Sequence, residues 1–348
     1  MKGIFSKTSV IVTCVLLTAM AVVCQAAVYY VSPTGDDLNS GTSPGTAWAT
    51  VNHGDAANIL NPGDTVVVLE GTYAVNNTYI QNRSGTAGNP VTYIAQGDVV
   101  LQAPSGSGGL YVQASHVVID GFRFQGGTVS SILISNAENV VVRNNWLTAP
   151  NDPGFWYGAI NLGNNVKDAS IHHNVIAPNA GIISTGILMQ GTSLGGNKIY
   201  NNTLVDVGPY YWSLQVDNSA AGDEFFNNIM AYNAAGINLV EPVAQLTHSN
   251  NLFYLLYGGA YTYGGSATQG PGELLDTDPL FVDYANRDFR LSPGSPAIDA
   301  GKKFAGLDYN GLAPDIGAFE YVPEPGSICA LAFGLSGFGL AAIRRRRS

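Results

Sequence analysis

The sequence predicts an all-β fold: a right-handed parallel β-helix solenoid with a short N-terminal capping helix. Three observations predict it. First, a phrase of the form apolar, any, any, Asn, any, apolar recurs at residues 142–147 (VRNNWL), 171–176 (IHHNVI), 199–204 (IYNNTL) and 225–230 (FFNNIM), with a weaker copy at 248–253 (HSNNLF). Its asparagines, Asn145, Asn174, Asn202, Asn228 and Asn251, recur at intervals of 29, 28, 26 and 23, the period of stacked copies of one structural unit. Second, each period holds another apolar pair two residues apart: Ile132/Ile134, Ile160/Leu162, Ile187/Met189, Leu214/Val216 and Ile237/Leu239. That spacing places both members on one face of a strand. Third, the segments between are rich in Gly, Asn, Ser and Asp, and none sustains a helical period. One turn of chain with two or three short strands, repeated, is one coil of a β-helix.

The elements follow in order. Residues 1–26 read as a secretory signal peptide: Lys2 and Lys7, an apolar run over 10–23, then Cys24, Gln25 and Ala26 before the cleavage point. A lipidated Cys24 is the rival reading, but Val22 and Val23 fit poorly before it. Residues 27–73 form the N-terminal cap and first coil. An exposed solenoid end needs cover, and 47–60 (AWATVNHGDAANIL) offers a short amphipathic helix, with 61–64 (NPGD) as its stop. Residues 74–270 carry the coils. Phe122 takes the asparagine slot in a degraded upstream copy at 118–124, and 91–95 with 99–103 form a coil before that. Residues 271–321 form a last coil and an irregular cover, and 322–348 a terminal segment. Like residues stack above like residues, so the repeated asparagines form a ladder. Asparagine suits a sharp turn there because it tolerates left-handed backbone angles.

Composition sets further bounds. Charged residues make up only 11% of the 348, and glycine numbers 42, which suits many tight turns and argues against coiled coil or disorder. All three cysteines, Cys14, Cys24 and Cys329, lie in the terminal segments, so the mature body cannot be built on disulfides or thiolate metal sites. Removal of Lys2, Lys7 and the four arginines Arg344 to Arg347 takes basic residues from 15 to 9 against 24 or 25 acidic ones, a net charge of about −15 to −16. Such a surface repels nucleic acid. It also repels polyuronates unless a cation bridges the two.

Three regions carry resemblances. Residues 29–42 (YYVSPTGDDLNSGT), 62–73 (PGDTVVVLEGTY) and 84–93 (SGTAGNPVTY) resemble the opening of pectate-lyase-like β-helix proteins of the secreted bacterial type. Residues 278–301 and 315–321 (DIGAFEY) resemble the end region of secreted bacterial β-helix proteins with variable surface anchors. At the far end, Pro323, Glu324 and Pro325, an apolar stretch over 328–343 and the arginine cluster resemble a PEP-CTERM sorting signal. The alternative is a plain C-terminal membrane anchor, for which 16 apolar residues are short. The sorting resemblance implies signal peptidase and an exosortase as processing partners and a transient membrane segment. It also implies delivery to the cell surface or extracellular matrix of a Gram-negative bacterium.

The resemblance also implies chemistry on polysaccharide. In lyases of this superfamily a Lys or Arg removes the proton α to a uronate carboxylate, and aspartate-held calcium stabilises the developing enolate. Here the coils offer Arg123, Arg143, Lys167 and Lys198 as bases and show no tight aspartate group. Lys167 sits in a turn after a repeated strand, where a solvated surface charge is the plainer reading. Asp217 and Glu241 follow strands on adjacent coils, and paired carboxylates could serve a glycoside hydrolase; two exposed acids is the plainer reading. Trp156, Tyr157, Tyr211 and Trp212 lie in loops leading into equivalent strands, whose outward positions include Asn161, Gln190, Gln215, Asp217 and Asn238. Aromatic faces beside amides and carboxylates suit a sugar ring, although the aromatics could equally form a packing lid. His172 and His173 are adjacent, so a strand would point them to opposite sides, which is no metal-ligand spacing. The expected function is binding, with lyase or hydrolase cleavage, of an extracellular polysaccharide. The alternative is a non-catalytic cell-surface or matrix protein.

Overall fold

The computed structural model describes residues 26–148, 157–178, 185–207, 212–240, 245–256 and 262–323. Its main strands pair in parallel, each with the equivalent strand one coil away. Eight strands stack in one sheet: Thr78–Ile80, Leu110–Val112, Ile132–Ile134, Gly158–Leu162, Thr185–Met189, Trp212–Val216, Ala235–Leu239 and Tyr263–Gly265. A fifteen-stranded sheet forms the rest of the wall as two halves meeting at a corner. The long strands Thr65–Ala74 and Val91–Ala103 belong to both halves, whereas later coils break there into two short strands, such as Ser170–His172 and Val175–Ile176. The repeated apolar pairs all point inward. Ile132, Ile160, Ile187, Leu214 and Ile237 stack in register, and each is fully buried in one continuous core.

The corner explains why the motif so often reads Asn-Asn. The first residue of each doublet takes the left-handed conformation: Asn144 (φ 56°), His173 (55°), Asn201 (48°), Asn227 (57°) and Asn250 (50°), with Gly121 (85°) one coil earlier. Glycine and asparagine accept that angle at least cost. The second residue is the ladder asparagine, and none of the five has a positive φ. The ladder residue is therefore chosen for its amide and its predecessor for the backbone angle, which corrects the expectation that the ladder residue takes the turn. Asn174 shows the pattern. Its backbone N–H and its Nδ2 both donate to Oδ1 of Asn202 at 3.0 Å, while Nδ2 also donates to the Val142 carbonyl at 2.9 Å. Asn202 repeats this toward Asn228, and Asn228 toward Asn251.

The N-terminal cap is present, but its helix is one turn, His53–Ala56. Gly54 lies so close to Leu60 and Trp48 that a Cβ would come within 2.9 Å of both. The buried Asp55 carboxylate accepts the backbone amides of Gln81, Asn82 and Arg83, tying the cap to the next coil. Trp48, fully buried and stacked on Tyr29 at 4.7 Å, fills the end of the core.

The C-terminal cover runs along the flank of the coils. Asn201 Nδ2 donates to the carbonyls of Asp315 and Gly317, Asn227 Nδ2 to that of Lys302, and Asn250 Nδ2 to that of Ala300. The left-handed residues of the corner thus hold the cover with their side chains. An antiparallel pair, Phe281–Asp283 with Asp288–Leu291, packs beside it.

Beside that corner the outward file Arg143, His172, Tyr200, Phe226 forms an aromatic stack. His172 lies 4.7 Å from Tyr200, and Tyr200 5.2 Å from Phe226, with rings nearly parallel. Phe304 of the cover meets the last two edge-on. His172 and His173 do not point to opposite sides. The strand ends at His172, the left-handed turn at His173 swings its ring round, and the two Nδ1 atoms lie 2.7 Å apart. Burial above all lowers both pKa values, to about 3 for His172 and about 4 for His173, with Arg143 adding to the effect and His173 also acting on His172.

Candidate carbohydrate-binding face

The outer face of the eight-stranded sheet carries two files of side chains. The first runs Tyr79, Tyr111, Leu133, Asn161, Leu188, Gln215, Asn238, Gly264, each in register with the next. The second lies just past the strands, where the amides of Gln190, Asp217 and Val240 each bond to the preceding coil, at the carbonyls of Leu162, Met189 and Val216. Asn161, Gln215 and Asn238 therefore share one file, but Leu188 stands between the first two. Gln190 belongs to the second file, directly before Asp217.

Polar contacts link the files. Asn161 Nδ2 donates to Gln190 Oε1 at 3.3 Å, and Gln215 Nε2 to Asp217 Oδ1 at 2.9 Å. Asn161 is buried, and among the described residues no donor reaches its Oδ1. A buried acceptor left in this way carries a desolvation cost that a ligand hydroxyl would offset.

The aromatics separate along the sheet. Tyr79 and Tyr111 meet edge-to-face at 5.1 Å. Burial, then Tyr79 and Tyr157, push the Tyr111 hydroxyl above its ordinary value, which places Tyr157 at this upstream end. Trp212 lies downstream, its indole so near Gly264 that a Cβ there would stand 2.3 Å from the ring and 2.9 Å from Asn238 Oδ1. Tyr79 and Tyr111 were not among the residues expected from sequence. The pair Leu110/Val112 has the same two-residue spacing as the other coils and could have revealed their file. Trp156, Tyr211 and Glu241 lie outside the described residues, as do residues 1–25 of the signal segment, Glu324 and Pro325.

Lys167 occupies another column. It pairs with Gly195 in a separate two-stranded sheet, bridges to Glu138, and places Nζ 3.7 Å from Asp168 on the exposed surface. Among the described residues, no three His, Cys, Asp or Glu side chains converge to hold a metal ion. The group of aspartates that the lyase resemblance implies for calcium is not assembled among the described residues.

No family model matches the chain. Pectate lyase L of Dickeya dadantii (strain 3937) is 24% identical over 390 residues, covering 84% of this chain and 90% of that protein. Lacto-N-biosidase of Bifidobacterium longum subsp. longum is 26% identical over 206 residues, 53% of this chain but 13% of that protein. Among solved structures, pectate lyase Pel9A superposes with a TM-score of 0.51 at 18% identity, covering 85% of this chain and 96% of that one. The shared feature is the fold: the chain is a right-handed parallel β-helix resembling those of pectate-lyase-like secreted bacterial proteins.

Proposed function

We propose that the chain binds an extracellular polysaccharide along the outer face of its eight-stranded sheet. The observation that carries this reading is the file of amides Asn161, Gln215 and Asn238, flanked by Gln190 and Asp217, with Trp212 lying against its downstream end. Amides supply donors and acceptors for hydroxyls, and an indole face packs on the C–H face of a sugar. Tyr79, Tyr111 and Tyr157 extend the surface upstream. The acidic body and the scarcity of cations on this face favour a neutral or cation-bridged glycan. Pectate lyase L and lacto-N-biosidase, by their names, act on saccharides, which supports the same class.

For cleavage, the reading assigns Asp217 and Glu241 as a carboxylate pair. Asp217 and Val240 follow one another in the same file, and Glu241 is the next residue in the sequence after Val240. A hydrolase needs two such groups across the scissile bond. A lyase reaction would need Lys167 as base, and its separate column makes that the weaker assignment. The reading includes export through residues 1–26 and sorting to the cell surface through Pro323, Glu324 and Pro325, with signal peptidase and an exosortase as partners.

A glycan array, followed by assays for new reducing ends and for unsaturated products, tests this. Binding with new reducing ends and no unsaturated product supports the hydrolase, whereas new reducing ends with unsaturated product would transfer the base to Lys167. No glycan bound by the folded mature chain would leave the matrix-protein alternative.

A further inference from the structure

A second cleft of about 510 Å³ opens on another wall of the solenoid, over strands Arg123–Gly126 and Trp146–Leu147 and beside the C-terminal cover. Gln102, Arg123, Gln125 and Trp146 line its floor, and Asn286 and Arg287 its rim. The floor is a product of coil register. Gln102 stands beside Gln125 and Arg123 beside Trp146 on adjacent coils, with the buried Phe124 between Arg123 and Gln125 along the strand. Neighbouring coils lie about 4.8 Å apart, and alternate residues along a strand roughly 6.6–6.8 Å.

The lining of the cleft is basic although the chain as a whole is acidic. The chain has 25 acidic residues to 15 basic ones, yet this lining holds two guanidinium groups and, among the described residues, no carboxylate. Arg287 is anchored, its Nη2 donating to the carbonyls of Ala177 and Pro178 at 2.7 Å. Arg123 is half-exposed, with Asp98 as a loose partner at 3.5 Å, a surface pairing worth little. Trp146 is held by stacking on Phe289 at 5.6 Å. Guanidinium matches a carboxylate as a planar fork, and the neighbouring amides match hydroxyls.

We propose that this cleft is a second saccharide subsite that takes an acidic sugar, with Arg123 pairing its carboxylate and Gln102 and Gln125 its hydroxyls. It lies on a different wall from the amide file and stands independently of that file's role. A protein with both would hold a neutral stretch of polymer on one wall and an acidic unit on the other.

Calorimetric titration of the folded mature chain tests it with three probes: trigalacturonate, its carboxyl-reduced trisaccharide, and inorganic phosphate. Arg123→Ala should weaken trigalacturonate at least tenfold, leave the reduced sugar unaffected and leave the melting temperature unchanged. Arg123→Lys should recover only part of the loss, and Trp212→Ala should leave trigalacturonate binding intact. Unchanged affinity in Arg123→Ala would overturn the proposal. So would phosphate competing as well as trigalacturonate, which marks a bare anion site. Loss of trigalacturonate binding in Trp212→Ala alone would move the ligand to the other wall and sink this one.

Discussion

Nδ2 of Asn251 donates to Oε1 of Glu273 at 2.9 Å, so the buried asparagine ladder ends on a carboxylate. Glu273 also faces His248 Nδ1 at 2.8 Å and accepts from the Gly270 amide and the Tyr263 hydroxyl. Burial alone would raise its pKa, but the hydrogen bonds from His248, Asn251 and Tyr263 outweigh it and hold the carboxyl below its ordinary value. A ladder of neutral amides leaves one end unmatched, since its last Nδ2 needs an acceptor. The carboxylate supplies it.

Glu273→Gln should therefore destabilise the protein by about 2–3 kcal/mol, the scale of lost hydrogen bonds to a charged group. The folded pKa lies below the unfolded one, so the contribution is present above the ordinary glutamate value and lost as pH falls through the depressed one. Denaturant melts of both proteins should differ at pH 7 and converge in acid. A gap that persists at low pH would remove the carboxylate from this role.

Asn202→Ala should cost about 1–3 kcal/mol, because it leaves buried turn groups on two coils unpaired. Asn76, on an exposed loop, should tolerate alanine with far less loss. Equal thermal shifts at the two sites would contradict the ladder's energetic role.

His172 and His173 set a second pH dependence. Their folded pKa values, about 3 and about 4, lie below the ordinary 6.5, so the unfolded chain binds more protons in that window. Stability should be full above about pH 6.5 and fall steadily toward pH 4, by about 1.4 kcal/mol per unit for each group while it remains neutral in the fold. The double change His172→Gln with His173→Asn should flatten the slope measured by urea melts between pH 4 and 7. An unaltered slope would place the pH sensitivity elsewhere.

Trp212→Ala should weaken glycan binding several-fold, since one ring stacking is worth about 0.5–1.5 kcal/mol beyond area burial. Asp217→Asn should abolish hydrolysis and leave most binding. Lys167→Ala should act only on unsaturated-product formation. Affinity electrophoresis with the glycan found on the array reads the binding, and reducing-end and unsaturated-product assays read the cleavage; full binding by Trp212→Ala would remove the indole from the surface.

Mature protein should begin near Ala27 and end close to Pro323, Glu324 and Pro325. Mass spectrometry of surface-extracted material reads both ends. A tail with Arg344 to Arg347 intact in that fraction would replace sorting with a plain anchor.

The period of the asparagine motif and the paired apolar positions were legible in the chain because stacking makes each coil repeat the same demand. That demand is local: an inward residue at every second position and an amide at every corner. The division of labour inside the Asn-Asn doublets was hidden, because letters do not show which residue takes a left-handed φ and which faces the ladder. The same turn reversed the expected divergence of His172 and His173. Sequence named Asn161, Gln215 and Asn238 as outward, yet register alone put Leu188 between them and moved Gln190 into the file of Asp217. The basic cleft was invisible for a further reason. Its floor comes from successive coils, as in the pairs Gln102 with Gln125 and Arg123 with Trp146, and its rim from a cover much later in the chain. Period and alternation are properties of neighbours in the chain, so the sequence by itself determined the solenoid. A site made of different residues on different coils depends on register and on where the cover lies, and only the tertiary structure decided those.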